Sequence, residues 1–315
     1  MPHPLPTTTS RPAEWPPGAL SHVTDLGGPV HHLSFGGPAG SPVVVAVHGL
    51  GGSALNWGLL GPRLAATHRV LAVDLWGHGG SGVPGGRPAL ADDLRLLQRF
   101  LTEVVGEPVV LLGHSMGGVL SLQHTAEHPG TVSRLVLLSP PVPGSRGRLD
   151  RALLTKRALL RLPGVSGAVA RKLARLTPEQ VVDQQLRQAT PHVDRIAADG
   201  VAADGVAAVV AETRRRAGRP DAARAQAVQW AGILDTMALL GHARAWRQTV
   251  ARVAVPTLWL QGADDPLADP GSAAALAATR PDWPFQVRAG VGHLLAIEDP
   301  AWTAERIGSW LAAHP

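Results

Sequence analysis

The chain has 315 residues, 45% of them hydrophobic and 17% charged, which suits one large globular domain with an inserted subdomain and excludes a disordered polymer. It has no cysteine, so disulfides, thiolate metal sites and a cysteine nucleophile are excluded. The net charge of +5 is uneven, because residues 141–250 hold 18 Arg or Lys against 9 Asp or Glu and the remainder is acidic.

Residues 1–27 read as a flexible N-terminal arm, rich in Pro and Thr at its start. No basic start followed by an apolar run is present, so a signal peptide is not expected. No apolar stretch approaches the roughly 18 residues of a membrane span, and a cytoplasmic location is the expectation. Val30 to Phe35 alternates as a strand does, and a glycine-rich turn follows. Pro42 to Val47 is a continuous apolar, β-branched run, the pattern of a strand buried on both faces. Arg69 to Leu75, Pro108 to Leu112, Val132 to Leu138 and Pro256 to Leu260 repeat it, and Phe285 to Arg288 is a last short strand. Helical patterns fall between them, at Leu59 to Thr67, Ala89 to Val105, Met116 to Glu127, Ser272 to Ala278 and Trp302 to Ala313. Strands alternating with helices imply a mostly parallel, doubly wound α/β sheet. The core is assigned to residues 28–140 and 251–315.

Between Pro140 and Val250 the alternation stops and the pattern is helical throughout, so residues 141–250 read as an all-helical cap insertion. It contains a short tandem repeat, Ala197 to Val201 followed by Ala202 to Val206, whose glycines predict a hinge or loop.

The most informative segment is Gly113-His114-Ser115-Met116-Gly117-Gly118. It is a Gly-x-Ser-x-Gly pattern between an apolar strand and an amphipathic helix. A sharp strand-to-helix turn brings neighbouring backbones close, so small residues must flank its centre. Such a turn lifts the Ser115 oxygen to the C-terminal edge of the sheet, where ligands of open α/β sheets bind. The backbone N–H of Met116 then lies at a helix N-terminus, suited to a developing oxyanion. The glycine loop His48-Gly49-Leu50-Gly51-Gly52 follows another buried strand, and Leu50 N–H is the candidate second donor. His48 itself reads as a loop brace.

A serine hydroxyl needs a base, and imidazole is the side chain that serves near neutral pH. Of 14 histidines, His293 stands out on the glycine loop after the last strand. His78 and His114 are weaker candidates. The imidazole needs an acid to fix its tautomer. Asp264 and Asp265 compete for that place after the strand at Pro256, and Asp265 is preferred because it lies nearer the turn. The alternative is that both cap the helix beginning near Pro270, a task that Asp269 suits better. The order Ser115, Asp265, His293 is the one expected of this turn type.

Taken together, HGLGG (48–52), DLWGHGGS (74–81), GHSMGG (113–118), GADD (262–265) and GVGH (290–293) resemble the α/β-hydrolase superfamily. The subgroup resembled is that of capped serine esterases, carbon–carbon bond hydrolases and cofactor-free haloperoxidase-like enzymes. The resemblance covers about residues 28 to 315 and implies Asp265 as the acid. It implies a serine hydrolase that needs no metal or cofactor. Trp76 departs from the family, which more often has a small residue or Arg there. Aspartate-nucleophile branches do not fit, because their attacking residue would stand at Ser115.

The expected substrate is a small, largely apolar carboxylic ester, held between the sheet edge and the cap by Trp57, Trp76, Trp230 and Met237, unless these serve core packing. Thioester cleavage, C–C bond hydrolysis or acyl transfer on the same triad is the alternative, and a ligand-binding or signalling module with negligible turnover is another. The basic insertion would suit an anionic or carrier-linked substrate, although its spread arginines read more simply as solvated helix faces. No nucleic-acid-binding motif occurs. The sequence does not specify an oligomeric state.

Overall fold

The structure, a computed structural model, describes residues 8–83, 85, 90–144 and 176–314. Within these residues the chain forms one nine-stranded sheet in the order β1-β2-β3-β5-β4-β6-β7-β8-β9. The strands are β1 (Thr8–Pro12), β2 (Leu20–Asp25), β3 (Pro29–Gly36), β4 (Val43–Val47), β5 (Arg69–Val73), β6 (Val109–His114), β7 (Val132–Leu138), β8 (Thr257–Gly262) and β9 (Phe285–Arg288). From β5 to β9 every neighbouring pair is parallel, and β1, β2 and β3 add an antiparallel edge.

The helices are α1 (Gly61–Leu64), α2 (Leu90–Arg99), α3 (Met116–Glu127), α4 (Pro178–Ala189), α5 (Val193–Ala198), α6 (Gly200–Ala217), α7 (Ala222–Gly241), α8 (Ala243–Arg252), α9 (Pro270–Ala277), α10 (Leu295–Glu298) and α11 (Pro300–Ala313). The helix expected to reach Val105 is α-helical to Arg99 and π-helical over Phe100–Val105.

The continuous apolar runs have a direct cause. Successive strand side chains point to opposite faces. In β4, Val43, Val45 and Val47 enter one core layer while Val44 and Ala46 enter the other. β6 and β7 divide the same way, with Leu111 and Leu137 on one face and Leu112 and Leu138 on the other. Helices cover both faces: α2, α3, α8 and α9 contribute to the first layer, and α1, α10 and α11 to the second. Each fully buried Val or Leu side chain contributes roughly 1.5–3 kcal/mol. The parallel strands thus bring the loops that follow them to one edge of a buried sheet.

Two expectations are corrected. Thr8–Pro12 and Leu20–Asp25 of the presumed arm are strands, because antiparallel partners satisfy their backbone groups, β2 for β1 and β3 for β2. The tandem repeat is neither hinge nor loop but lies largely within α6. The Asp199 carboxylate caps this helix, accepting the N–H groups of Val201 and Ala202 at 3.0 Å. Gly205 serves packing rather than bending, since a Cβ there would stand 2.9 Å from the Trp15 ring. Residues 145–175 of the insertion, with Gly164, lie outside the described residues. The remainder of the insertion, from α4 to α8, is helical.

Candidate active site

Ser115 joins β6 to α3 with φ 53° and ψ −122°, a left-handed conformation that a residue with a Cβ adopts only when its surroundings enforce it. Backbone bonds pin the turn. Ser115 N–H donates to Leu138 O of β7 at 3.0 Å, and Ser115 O accepts from Gly118 N at 2.9 Å and Val119 N at 3.1 Å. The flanking glycines are steric requirements. A Cβ on Gly113 would stand 2.5 Å from Gly117 O, and one on Gly117 would stand 2.3 Å from Val47 O. The Ser115 side chain is half-buried whereas its neighbours from Gly113 to Gly117 are buried, so the turn offers this residue to solvent. Met116 is the first residue of α3, and its N–H has no acceptor within the helix.

Asp265 follows the C-terminal end of β8, and His293 follows that of β9. Because β6, β8 and β9 are parallel in one sheet, Ser115, Asp265 and His293 leave it at the same edge. His293 Nδ1 lies 2.8 Å from Asp265 Oδ2. The same carboxylate accepts Leu267 N–H and Ala268 N–H at 2.8 Å on Oδ1, and Gln261 Nε2–H at 2.9 Å on Oδ2. Burial alone would raise its pKa. The His293 imidazole and these hydrogen bonds outweigh burial and hold the carboxyl below its ordinary value. An ionised Asp265 accepts from Nδ1–H, which leaves Nε2 of His293 with the lone pair that a base needs. Gly262 lets the two loops meet, since a Cβ there would stand 1.9 Å from Gly292 O.

The other acidic and imidazole groups have different partners. Asp264 Oδ2 lies 2.8 Å from His192 Nε2 in the insertion. Asp269 accepts Ser272 N–H at 2.7 Å and caps α9. His114 Nε2 donates to His293 O at 2.9 Å, and the two rings are 4.8 Å apart. Burial first, and then the neighbouring His293, push His114 down to about 3, so it is a neutral prop beneath the His293 loop. His48 Nε2 accepts Leu75 N–H at 3.1 Å, so Nδ1 carries the proton and donates to Gly49 O at 2.7 Å. That ring braces the loops after β4 and β5. His78 bonds Trp76 O at 2.9 Å, and burial takes it down to about 3.

The loop after β4 runs directly against the Ser115 turn. A Cβ on Gly49 would stand 2.9 Å from Ser115 Cβ and 3.1 Å from His114 Nδ1. Leu50 comes next and is 39% exposed. Ser53 then caps the short helix Ala54–Trp57.

The four residues named as pocket lining are scattered. Trp57 and Trp76 are buried in opposite core layers. Trp57 also borders a cavity of about 10 Å³ with Asn56, His114, Leu294, Ala296 and Ile297, which holds one water at most. Trp230 is exposed and Met237 half-buried on α7. This helix reaches the Ser115 turn at one point, since a Cβ on Gly232 would touch Met116 Sδ at 3.4 Å.

Three residues around His293 and Asp265 escape sequence reasoning: Gln261, Thr190 and Glu298. Gln261 is the one polar side chain late in an apolar strand, and Glu298 is the first charge after the apolar run Leu294 to Ile297, so both left a faint signal. Thr190 left none. Among the described residues no group of three or more His, Asp or Glu could hold a metal ion. Among them, too, no helix is long and apolar enough to cross a membrane.

Comparison with known proteins agrees with this architecture. The family model described as the alpha/beta hydrolase fold matches residues 42–300. An uncharacterized protein of Mycobacterium tuberculosis is 27% identical over 270 residues, 84% of this chain and 73% of that protein. Two solved structures share the fold. A point mutant of the haloalkane dehalogenase DatA from Agrobacterium tumefaciens superimposes with TM-score 0.70 at 20% identity, covering 94% of this chain and 97% of that one. A serine hydrolase of carbazole degradation, CarC, gives 0.64 at 20% identity, covering 98% and 99%.

Proposed function

The chain belongs to the α/β-hydrolase fold family, and on that premise we propose that it is a serine hydrolase acting on a small, largely apolar carboxylic ester. A fold alone does not fix an activity, so the reading rests on the site. One observation carries it: a strained, half-exposed serine at a strand-to-helix turn shares its sheet edge with a buried, hydrogen-bonded His–Asp pair.

In the proposed mechanism His293 Nε2 takes the Ser115 proton as Oγ attacks the ester carbonyl carbon. The carbonyl oxygen becomes an oxyanion against the N–H groups of Leu50 and Met116, each donor being worth about 3 kcal/mol. Protonated His293 hands its proton to the leaving alkoxide as the C–O bond breaks, giving an alcohol and an acyl-Ser115. Water, deprotonated by His293, then attacks the acyl carbon, and the acid leaves as the C–Oγ bond breaks and His293 returns the proton to Ser115 Oγ. Asp265 holds the ring's tautomer throughout. The helices of the insertion act as a cap over this edge, with Gly232 of α7 packed against the Met116 side chain. The same serine would accept thioesters, so acyl chemistry is proposed here more broadly than any one leaving group.

The test is a panel of aryl and alkyl esters, thioesters and diketones with wild type and Ser115→Ala, together with mass mapping of a fluorophosphonate adduct. Turnover lost in Ser115→Ala, with the adduct on Ser115, is the expected result. An adduct without turnover on any substrate would instead favour a binding or signalling role. Turnover retained by Ser115→Ala would end the reading.

A further inference from the structure

Resting on that reading of His293 as the base, we propose that the helical insertion positions the base through a clamp made of Thr190 and Glu298. Glu298, at the end of α10, accepts the N–H groups on both sides of the histidine, Gly292 N on Oε2 at 2.9 Å and Leu294 N on Oε1 at 2.9 Å. The backbone of the intervening residue is held by the insertion itself, His293 N–H donating to Ala189 O at 2.9 Å. Thr190 Oγ1 then donates to Glu298 Oε2 at 2.6 Å and accepts His192 N–H at 3.0 Å. Three consecutive amides of the His293 loop are thus fixed, two by one carboxylate and one by the insertion, and the carboxylate is itself oriented by the insertion.

The contact is close and shielded. Thr190 is 1% exposed. A Cβ on Gly292 would stand 2.7 Å from Thr190 Oγ1 and 2.8 Å from its Cβ, so glycine is what admits the strap. Two further bonds flank the clamp, Arg195 Nη1 to Gly290 O at 2.9 Å and His192 Nε2 to Asp264 Oδ2 at 2.8 Å. An apolar cluster of Leu59, Ala189, Ile196, Ala202 and Leu294 seals the same junction. A loop with glycines at 290 and 292 has little stiffness of its own. Its geometry is therefore set by what grips it, and small displacements of a base lose much of the rate. Thr190 and Glu298 touch no reacting atom in this scheme. They are positioning residues, and they make the placement of the base depend on a docked insertion.

The experiment uses the full chain and an ester that the wild type hydrolyses. Thr190→Val keeps the shape and removes the hydroxyl, and it is expected to lower kcat by about 10- to 100-fold with KM within about twofold. Thr190→Ser should recover most of the loss. Glu298→Gln should lower kcat in the same direction, and the double variant Thr190→Val with Glu298→Gln should lose less than the product of the two single losses. Hydrogen exchange should show faster amides at 292–294 in Thr190→Val. If Thr190→Val does not fold, Glu298→Gln and Thr190→Ser still decide. Wild-type kcat in Thr190→Val, equal loss in Thr190→Ser and Thr190→Val, or unchanged exchange at 292–294 would overturn the clamp. Wild type no faster than Ser115→Ala would instead overturn the serine-hydrolase reading, and with it the catalytic meaning of a clamp that hydrogen exchange would still detect.

Discussion

Asp265 and His293, distant in sequence, meet through a 2.8 Å hydrogen bond and are 7% and 4% exposed. Asp264, the chain neighbour of Asp265, meets His192 at the same distance in a pair that is partly solvent-exposed. The two carboxylates differ in what a substitution would do. Asp265→Asn presents an amide to Nδ1 and favours the wrong imidazole tautomer, so kcat should fall by about 10³- to 10⁴-fold. Asp264→Asn weakens a pair worth at most about 1 kcal/mol and should change kcat less than about fivefold. Steady-state kinetics on both variants decides, and equal losses would remove Asp265 from its role.

Ser115 carries a conformational cost that a glycine would not. At φ 53° its Cβ is crowded, whereas glycine is at ease there. Ser115→Gly should therefore be more stable than Ser115→Ala by about 1–3 kcal/mol, with neither variant active. Urea unfolding of the pair measures this. Equal stability would mean that the turn stores no strain.

Asp93 gives the fold a pH dependence. Its carboxylate accepts Trp76 N–H at 3.0 Å, and burial raises its pKa to about 7 despite that bond. A carboxyl raised in the folded state contributes stability that is fully present below its unfolded pKa and is lost as pH rises through about 7. Asp93→Asn keeps an acceptor for Trp76 and removes the titration. Relative to wild type it should gain roughly 1–4 kcal/mol between pH 4 and pH 8. A stability difference that does not change with pH would refute the assignment.

Ser21, His31 and Asp74 form a second chain of the same three residue types. Ser21 Oγ lies 2.9 Å from His31 Nε2, and His31 Nδ1 lies 2.6 Å from Asp74 Oδ2. Its setting is different. Ser21 is 6% exposed within β2, and no helix N-terminus follows it to receive an oxyanion. Asp74 also accepts Ala54 N–H at 2.6 Å and Gly80 N–H at 2.7 Å, which marks the network as a brace between the sheet edge and the loops after β4 and β5. Ser21→Ala should leave ester turnover within about twofold of wild type and cost about 1 kcal/mol of stability. A fluorophosphonate adduct on Ser21 would show that the serine is reactive after all.

Features set by local sequence were legible. The central parallel strands β4, β6 and β8 announced themselves because both of their faces are buried, and Val132–Leu138, Phe285–Arg288 and the helix Met116–Glu127 have the bounds that their patterns suggest. The turn at Ser115 was legible because its glycines answer a steric demand within a few residues. β1 and β2 were not, since Thr, Ser and His become strand only when β3 pairs with β2 and β2 in turn with β1. Helix α6 was not, because its glycine at 205 is explained by Trp15, a residue remote in the chain.

The sequence alone determined the alternation of strand and helix, and therefore the sheet edge at which residues after β6, β8 and β9 emerge. Periodicity and steric need are local, and a reader of the chain recovers them. Only the tertiary structure decided that Asp264 pairs with His192, that Ser21 belongs to a brace, and that Thr190 and Glu298 grip the histidine loop. Those are contacts between segments far apart in the chain, and their hydrogen bonds depend on distances that no local pattern encodes.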